Sequence, residues 1–302
     1  MSPELTAILV ALVGVQLAVQ APLNSGLGRT VGKLQAALIS FLVGLAALFL
    51  LCLAAGQLNQ FSSIGNAPVP SLFGGLSGAI FVATATVTIS RIGAGAVAAA
   101  TISGQLTCSL IVDDFGWVGV DAVSVTGLRI LGAVLLLAGT VLVVYRKKYA
   151  ADIEGAGKAG ILAIIAVVVA GALVGVQHPL NAELADHIGG LNSALMNFVT
   201  GTILLTLIVF AAGLGGGMKR VGEVRWYYLC GGFIGVITVL TALTAVDTIG
   251  VAGLTAAIVT GQLFSSIALD RFGAFGLEKR DVTVARLVGV ALLVAGTFLT
   301  VS

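Results

Sequence analysis

Long apolar stretches without charged residues alternate with short polar connections along the whole chain. No Asp, Glu, Lys or Arg occurs in 5–28, 92–112, 159–182, 226–246 or 248–269. Residues 34–90 also lack these charges, but the polar, proline-containing run 57–70 divides them in two. A helix needs about 20 apolar residues to cross the hydrocarbon core of a membrane. The pattern therefore predicts ten membrane-spanning helices, over 4–28, 34–55, 71–91, 94–113, 124–145, 159–182, 191–213, 226–247, 250–270 and 281–301.

The chain repeats itself at a constant offset of 157 residues. The segment 20–24, with the sequence QAPLN, returns at 177–181 as QHPLN. The segment 103–106, with the sequence SGQL, returns at 260–263 as TGQL. A fixed period over the whole chain indicates duplication of one structural unit. The duplication predicts two domains of five helices each, covering 1–150 and 151–302.

Basic residues concentrate on one predicted side of the membrane. The connections after predicted helices 1, 3, 5, 7 and 9 lie on that side, and they hold Arg29, Lys33, Arg91, Arg146, Lys147, Lys148, Lys158, Lys219, Arg220, Arg225, Arg271, Lys279 and Arg280. The opposite side has the uncharged connection 57–70 and several acidic residues, and its main basic residue is Arg129. Because cytoplasmic loops carry the excess of Lys and Arg, we expect the basic side to be cytoplasmic and both termini to lie on the external face.

The two repeats are expected to cross the membrane in opposite directions. Five spans are an odd number, so the second repeat starts from the side on which the first one ends. Arg29 corresponds to Asp186 and Asp114 corresponds to Arg271, so the sign of the charge is exchanged at both ends of the repeat. Drift in loop charge is the alternative explanation, but it does not predict this agreement in sign. An inverted-topology repeat does.

Composition agrees with a membrane protein and excludes several other classes. The chain is 58% hydrophobic and 9% charged, with a mean hydropathy of +1.13, whereas a soluble domain carries roughly 25% charged residues. The net charge of +2 gives no indication of a nucleic-acid partner. The three cysteines lie in predicted spans without metal-ligand spacing. Neither a phosphate-binding loop nor a His-Glu-x-x-His motif is present, so we predict no catalytic residue, metal or cofactor.

Paired amides beside a proline are the first candidate site. Pro22 and Pro179 interrupt apolar helices, and a proline in a helix removes one hydrogen bond and favours a break. Gln20 and Asn24 stand one turn apart beside Pro22, and Gln177 and Asn181 repeat that spacing beside Pro179. Polar side chains at such a position either bind a substrate or water, or satisfy the broken backbone and hold helices together. The residues leave both interpretations open.

A second polar stripe occurs on predicted helices 4 and 9. Gln105, Ser109 and Asp113 are spaced four residues apart, and Gln262, Ser266 and Asp270 repeat that spacing. Residues four apart share one face of a helix. The glutamines lie near mid-membrane, where a polar group needs a partner or water, so we predict that Gln105 and Gln262 line a transport pathway. The aspartates lie at span ends and are weaker candidates, because a solvated boundary residue looks the same.

Three further polar residues are candidates on predicted helices 6 and 7. His178 has no polar counterpart, because its repeat equivalent is Ala21. Histidine titrates near neutral pH, so His178 is a candidate for coupling transport to protons, with a neutral hydrogen-bonding role as the alternative. Asn192 and Asn197, the equivalents of Gln35 and Ser40, are weaker candidates for contact with a substrate.

The ten spans, the two antiparallel halves and the repeated Gln-x-Pro-Leu-Asn motif resemble the drug/metabolite transporter superfamily. The chain is most similar to the YdcZ-like branch, a family once called DUF606. The resemblance implies a bacterial inner-membrane carrier, often described as an exporter, that works by alternating access. In the small multidrug resistance relatives a glutamate in the first helix binds the cation and the proton. Gln16 and Gln20 stand in the first helix here, so that mechanism is not carried over.

We therefore predict a secondary-active transporter that exports a small metabolite or drug-like molecule. Its cavity would be lined by predicted helices 1, 2, 4, 6, 7 and 9, with Gln20, Asn24, Gln105, Gln177, Asn181 and Gln262 as the substrate-binding residues. The uncharged amides favour a neutral or zwitterionic substrate. A monomer surrounded by lipid is sufficient, and a homodimer stays open. The alternative is a membrane protein that binds a partner or assists assembly. The residues give neither the substrate, nor the direction of transport, nor the coupling ion.

Overall fold

The computed structural model describes residues 2–92, 94–117, 122–144, 147–273 and 281–301, and these residues form helices joined by short connections. The bounds of the α-helices are α1 Pro3–Val31, α2 Lys33–Ala54, α3 Gly74–Ile92, α4 Ala94–Phe115, α5 Gly127–Val144, α6 Lys147–Ile188, α7 Gly190–Ala211, α8 Gly231–Phe272 and α9 Val284–Val301. Four short 3₁₀ segments, Leu58–Asn66, Val69–Phe73, Gly215–Glu223 and Trp226–Cys230, precede α3 and α8.

The fold class predicted from the sequence is confirmed. Helix α8 changes direction at Gly250, whose φ of 69° and ψ of 171° are not helical. Residues 231–249 (α8a) and 251–272 (α8b) therefore correspond to predicted helices 8 and 9, and α9 is predicted helix 10. Among the described residues, eight helical segments are long and apolar enough to cross a membrane, and one of them contains both α8a and α8b. The apolar helix Val69–Ala85 is shorter.

One local expectation was wrong. Helices α1 and α6 continue without interruption through Pro22 and Pro179, so neither proline breaks its helix. A single proline in a long helix removes one backbone bond, and the bonds on either side preserve the helix here. The polar run 57–70 contains the 3₁₀ segment Leu58–Asn66 and the start of Val69–Phe73.

The described helix bounds recur at the offset of 157 residues. Lys33–Ala54 corresponds to Gly190–Ala211, and Gly127–Val144 corresponds to Val284–Val301. The backbone turns that separate helices recur as well. Gly32 and Gly189 have φ angles of 98° and 81° at equivalent turns, a region that favours glycine. Duplication in the sequence is thus duplication in the structure.

Contacts between α5 and α9 show that the repeats are antiparallel. A Cβ atom on Gly132 would lie 2.8 Å from the Gly296 carbonyl oxygen, and one on Gly139 would lie 2.6 Å from that of Gly289. Moving forward along α5 therefore means moving backward along α9. Because α5 and α9 are equivalent helices, their antiparallel packing confirms the inverted repeat. Small residues let the two backbones approach closely in the membrane.

Candidate substrate pathway

The amides of the first Pro-Leu-Asn motif bind neighbouring helices. Gln20 Nε2 on α1 donates a hydrogen bond of 2.9 Å to the carbonyl oxygen of Gly231 at the start of α8a. Asn24 Oδ1 accepts a bond of 2.6 Å from Ser40 Oγ on α2. Both amides therefore tie α1 to other helices. A polar group in the membrane must find such a partner or water.

Both amides of the second motif bind one side chain of α7. Gln177 Nε2 and Asn181 Nδ2 on α6 both donate to Asn197 Oδ1 on α7, at 3.1 Å each. Asn197 occupies the position that is Ser40 in the first repeat. All three side chains are buried. Because Asn197 Oδ1 accepts both hydrogen bonds, Asn197 is the centre of this group.

Glycines at the starts of α3 and α8a make room for these asparagines. A Cβ atom on Gly74 would lie 2.2 Å from Asn181 Oδ1, and one on Gly231 would lie 2.4 Å from Asn24 Oδ1. The four amides thus form two separate groups, one per repeat, and no hydrogen bond joins the groups within the described ranges. In this conformation the amides hold helices together, which is one of the two roles that the sequence left open.

Gln105 and Gln262 differ from the other amides. Gln105 is buried on α4, beside Gly175 of α6, and Gln262 is half-buried on α8b, beside Gly14 of α1. Neither side chain forms a hydrogen bond within the part of the chain that the structure describes. Gln16 Nε2 is also fully buried without a partner among the described residues. Polar groups without a protein partner in the membrane are suited to meet a substrate or water.

Asp113 is not a solvated boundary residue, contrary to the sequence-based alternative. Its side chain is 1% exposed, and Oδ2 lies 2.9 Å from Arg129 Nη2 on α5. The same carboxylate accepts bonds from the backbone N–H groups of Val251 (2.7 Å) and Ala252 (3.1 Å), at the start of α8b. The first N–H groups of a helix have no partner within the helix. The Asp113 carboxylate therefore caps a helix of the other repeat.

Arg129 connects this cap to two further segments. Its Nε donates to the Thr300 carbonyl oxygen at the end of α9 (3.0 Å), and its Nη1 donates to that of Val123 (3.1 Å). The planar guanidinium suits several directed bonds at once. Sequence analysis missed the role of Arg129, although its position as the main basic residue on the acidic side was a usable signal. The side chain of Asp270 lies outside the described residues.

Two other candidates have defined surroundings. His178 is buried on α6, and its ring makes no hydrogen bond within the described ranges. Asn192 Nδ2 donates to the Gln57 carbonyl oxygen at 2.8 Å, while the equivalent Gln35 Nε2 donates to the Leu214 carbonyl oxygen, also at 2.8 Å. Gln57 and Leu214 are themselves repeat equivalents. These reciprocal bonds fix the helix ends, so a substrate contact for Asn192 has no support in this conformation.

Comparison with known proteins gives two matches at the level of sequence. The family described as "Putative inner membrane exporter, YdcZ" matches twice, over residues 5–142 and 162–299. The two matches are offset by the same 157 residues as the repeats. The "Inner membrane protein YdcZ" of Escherichia coli (strain K12) is 30% identical over 106 residues, which cover 35% of this chain and 70% of that protein.

A solved structure has a similar fold. It carries the description "Crystal structure of protein", and it superposes with a TM-score of 0.62 over 97% of this chain and 95% of its own. The sequences are 17% identical. At that identity the similarity shows the architecture alone.

Proposed function

Because the chain belongs to the YdcZ family of inner-membrane exporters, we propose that it is a secondary-active transporter that exports a small hydrogen-bonding molecule by alternating access. Membership makes it a multi-pass inner-membrane protein of the transporter class. The observation that carries the finer proposal is the pair Gln105 and Gln262. These equivalent amides lie on helices of opposite direction, and neither has a hydrogen-bond partner in the described structure.

Gln105 and Gln262 are proposed to bind the substrate directly, with Gln16 as an additional donor. Gln20, Asn24, Gln177 and Asn181 are proposed to fix the helices that form the walls of the cavity. None of these side chains is charged, and burial of an uncompensated charge in a membrane is expensive. The proposed substrate is therefore neutral or zwitterionic.

His178 is proposed as the site of proton coupling. It is buried beside the amide Gln177, and an imidazole exchanges protons in the physiological range. Replacement by glutamine keeps a hydrogen-bonding side chain but removes the titration. We expect H178Q to transport with a flat pH profile between about pH 5.5 and 8. An unchanged profile would remove His178 from the coupling mechanism.

A non-transport protein that binds a partner is the competing function. A screen of metabolites for thermal stabilisation in detergent separates the two, because a ligand that binds the folded state raises its apparent stability. We expect a stabilising ligand whose effect is lost in the double variant Q105A/Q262A. The matched control is T107A, at an exposed position of the same helix α4, and it should keep the effect.

Export is then measured in proteoliposomes loaded with that ligand. Wild type and T107A should release the ligand under a proton gradient. Q105A/Q262A should release it only as fast as ligand-loaded liposomes without protein. If the ligand stabilises the protein but is never moved, the protein is a binding subunit and not a transporter. If Q105A/Q262A transports normally, the two glutamines do not form the binding site.

A further inference from the structure

The two ends of the bundle are closed to different degrees. At the end that holds Asp113, Ser109 Oγ on α4 lies 3.0 Å from Thr255 Oγ1 on α8b. Both side chains are fully buried. The repeat equivalents of these positions are Ser266 and Ala98. Ser266 is half-buried, and its hydroxyl donates to the Leu263 carbonyl oxygen of its own helix at 2.7 Å. Ala98 has no hydroxyl, so it cannot form with Ser266 the hydrogen bond that Thr255 forms with Ser109.

Apolar packing shows the same difference. At the Asp113 end, Val112 of α4 is fully buried in a cluster with residues of α1 and α8, such as Val10 and Leu254, and Ala182 of α6 packs against this cluster. Its equivalent at the opposite end, Leu269, is only half-buried. The corresponding cluster there combines α3, α4 and α6 and includes no residue of α8b among the described residues. Contact between the repeats is therefore made at one end and reduced at the other.

We propose that Asp113 and Arg129 form a gate that closes the transport pathway at this end and opens during the cycle. The proposal rests on the proposed transport function and deepens it. The carboxylate holds the first turn of α8b against α4, and Arg129 holds α9 and the segment before α5 in the same cluster. When the carboxylate releases Val251 and Ala252, α8b can swing away from α4.

Gly250 supplies the hinge for this movement. Its φ of 69° lies in the region that glycine adopts without strain, and a Cβ atom there would lie 2.8 Å from Asp113 Oδ2. Glycine therefore permits both the bend and the close approach of the carboxylate. The opposite end of the pathway needs a gate of its own. One gate forms as the other opens, which alternating access requires.

Disulfide trapping tests the gate without a substrate. The pair S109C/T255C places two thiols where the hydroxyl oxygens now lie 3.0 Å apart, and A98C/S266C is its repeat equivalent. Each pair is introduced into a chain whose own cysteines are replaced by alanine. A protease site in the linker between the repeats lets a gel show whether a disulfide joins the halves. In native membranes we expect efficient cross-linking of S109C/T255C and little of A98C/S266C.

Asp113→Asn should reverse which of the two cysteine pairs cross-links efficiently. We expect cross-linking of S109C/T255C to fall, and that of A98C/S266C to rise, by about fivefold or more, the usual size of conformational coupling. Asp114→Asn is the control, because the adjacent carboxylate is exposed and accepts a hydrogen bond from the Val125 N–H group. If Asp113→Asn does not fold, R129K replaces it in this test. Lysine keeps the positive charge but lacks the planar set of donors of arginine, so we expect the same change in cross-linking.

Each outcome decides one claim. A fall at the first pair without a rise at the second means that Asp113 is a structural tie, and the gate is refuted. Equal cross-linking of both pairs in the parent chain also refutes it. If the pairs respond as expected but the protein exports nothing, the proposed transport function fails while the gate stands.

Discussion

Phe41 and Phe198 are the same position in the two repeats, and their rings contact each other with centroids 5.3 Å apart. Each ring also packs on a glycine that lies three residues after the other phenylalanine. A Cβ atom on Gly44 would lie 2.2 Å from Phe198 Cε1, and one on Gly201 would lie 2.3 Å from Phe41 Cε1. A residue that contacts its own equivalent lies beside the two-fold axis relating the repeats. Helices α2 and α7 therefore contact each other beside this axis.

Substituting either glycine should destabilise the protein. The methyl group of Gly44→Ala or Gly201→Ala would overlap a phenylalanine ring, and overpacking of a core costs roughly 1–3 kcal/mol. Gly201→Ala should be the worse of the two, because a Cβ atom there also approaches the Gly75 carbonyl oxygen at 3.0 Å. Thermal unfolding in detergent measures both. Gly65→Ala, with no atom within 4 Å of its Cβ position, should unfold like wild type.

Removing Asp113 should destabilise far more than removing an exposed acid. Asp113→Ala leaves the buried Arg129 without its counter-ion, and breaking a buried pair from one side costs about 3–5 kcal/mol. Glu223→Ala breaks the pair with Arg220, whose side chains are 55% and 58% exposed, and exposed pairs contribute roughly 0–1 kcal/mol. Chemical unfolding in detergent compares the two. Similar losses would contradict the burial of the Asp113 pair.

The asparagine of the second repeat should matter more than the serine of the first. Asn197→Ala removes the acceptor of two side-chain bonds, whereas Ser40→Ala removes the donor of one. Hydrogen bonds between membrane helices contribute about 0.6 kcal/mol on average and at most about 1.7 kcal/mol. We expect a loss of roughly 1–3 kcal/mol for Asn197→Ala and about half of that for Ser40→Ala. Unfolding curves of both variants and their double variant check the ratio.

Labelling of single cysteines checks the proposed orientation. Ser62 and Lys219 are exposed and lie at equivalent positions in the 3₁₀ segments of the two repeats. Because the basic side is expected to face the cytoplasm, a membrane-impermeant maleimide should label S62C but not K219C in intact cells. Permeabilised cells provide the control, in which both should react. Labelling of K219C from outside would reverse the topology and place both termini in the cytoplasm.

The architecture could be predicted because it depends on patterns along the chain. Apolar stretches gave all ten helices, and the offset of 157 residues gave the duplication. The antiparallel direction could be read from exchanged charges such as Arg29 and Asp186. It was then confirmed by the contact of Gly132 with Gly296. Length, hydropathy and charge are local properties, and a membrane restricts what local properties can form.

The partners of the polar side chains could not be predicted. Asp113 binds backbone groups 138 and 139 residues further along the chain, and no spacing in the sequence encodes such a distance. The same holds for Gln20, whose acceptor is a backbone carbonyl at position 231. Every residue has a carbonyl, so side-chain identity cannot reveal which one is used. The sequence offered the amides as candidates, but the partners of these amides depend on how whole helices pack.

A transporter made of two identical antiparallel halves would have two open states of equal free energy, because exchanging the halves converts one state into the other. The hydroxyl of Thr255 meets Ser109 at one end, and the residue equivalent to Thr255 at the other end is Ala98, which has no hydroxyl. Differences of this kind between the repeats remove the degeneracy. The side to which the empty carrier opens is then set by its amino acids, and we expect the exchange of residues 98 and 255 to shift the preference towards the other side.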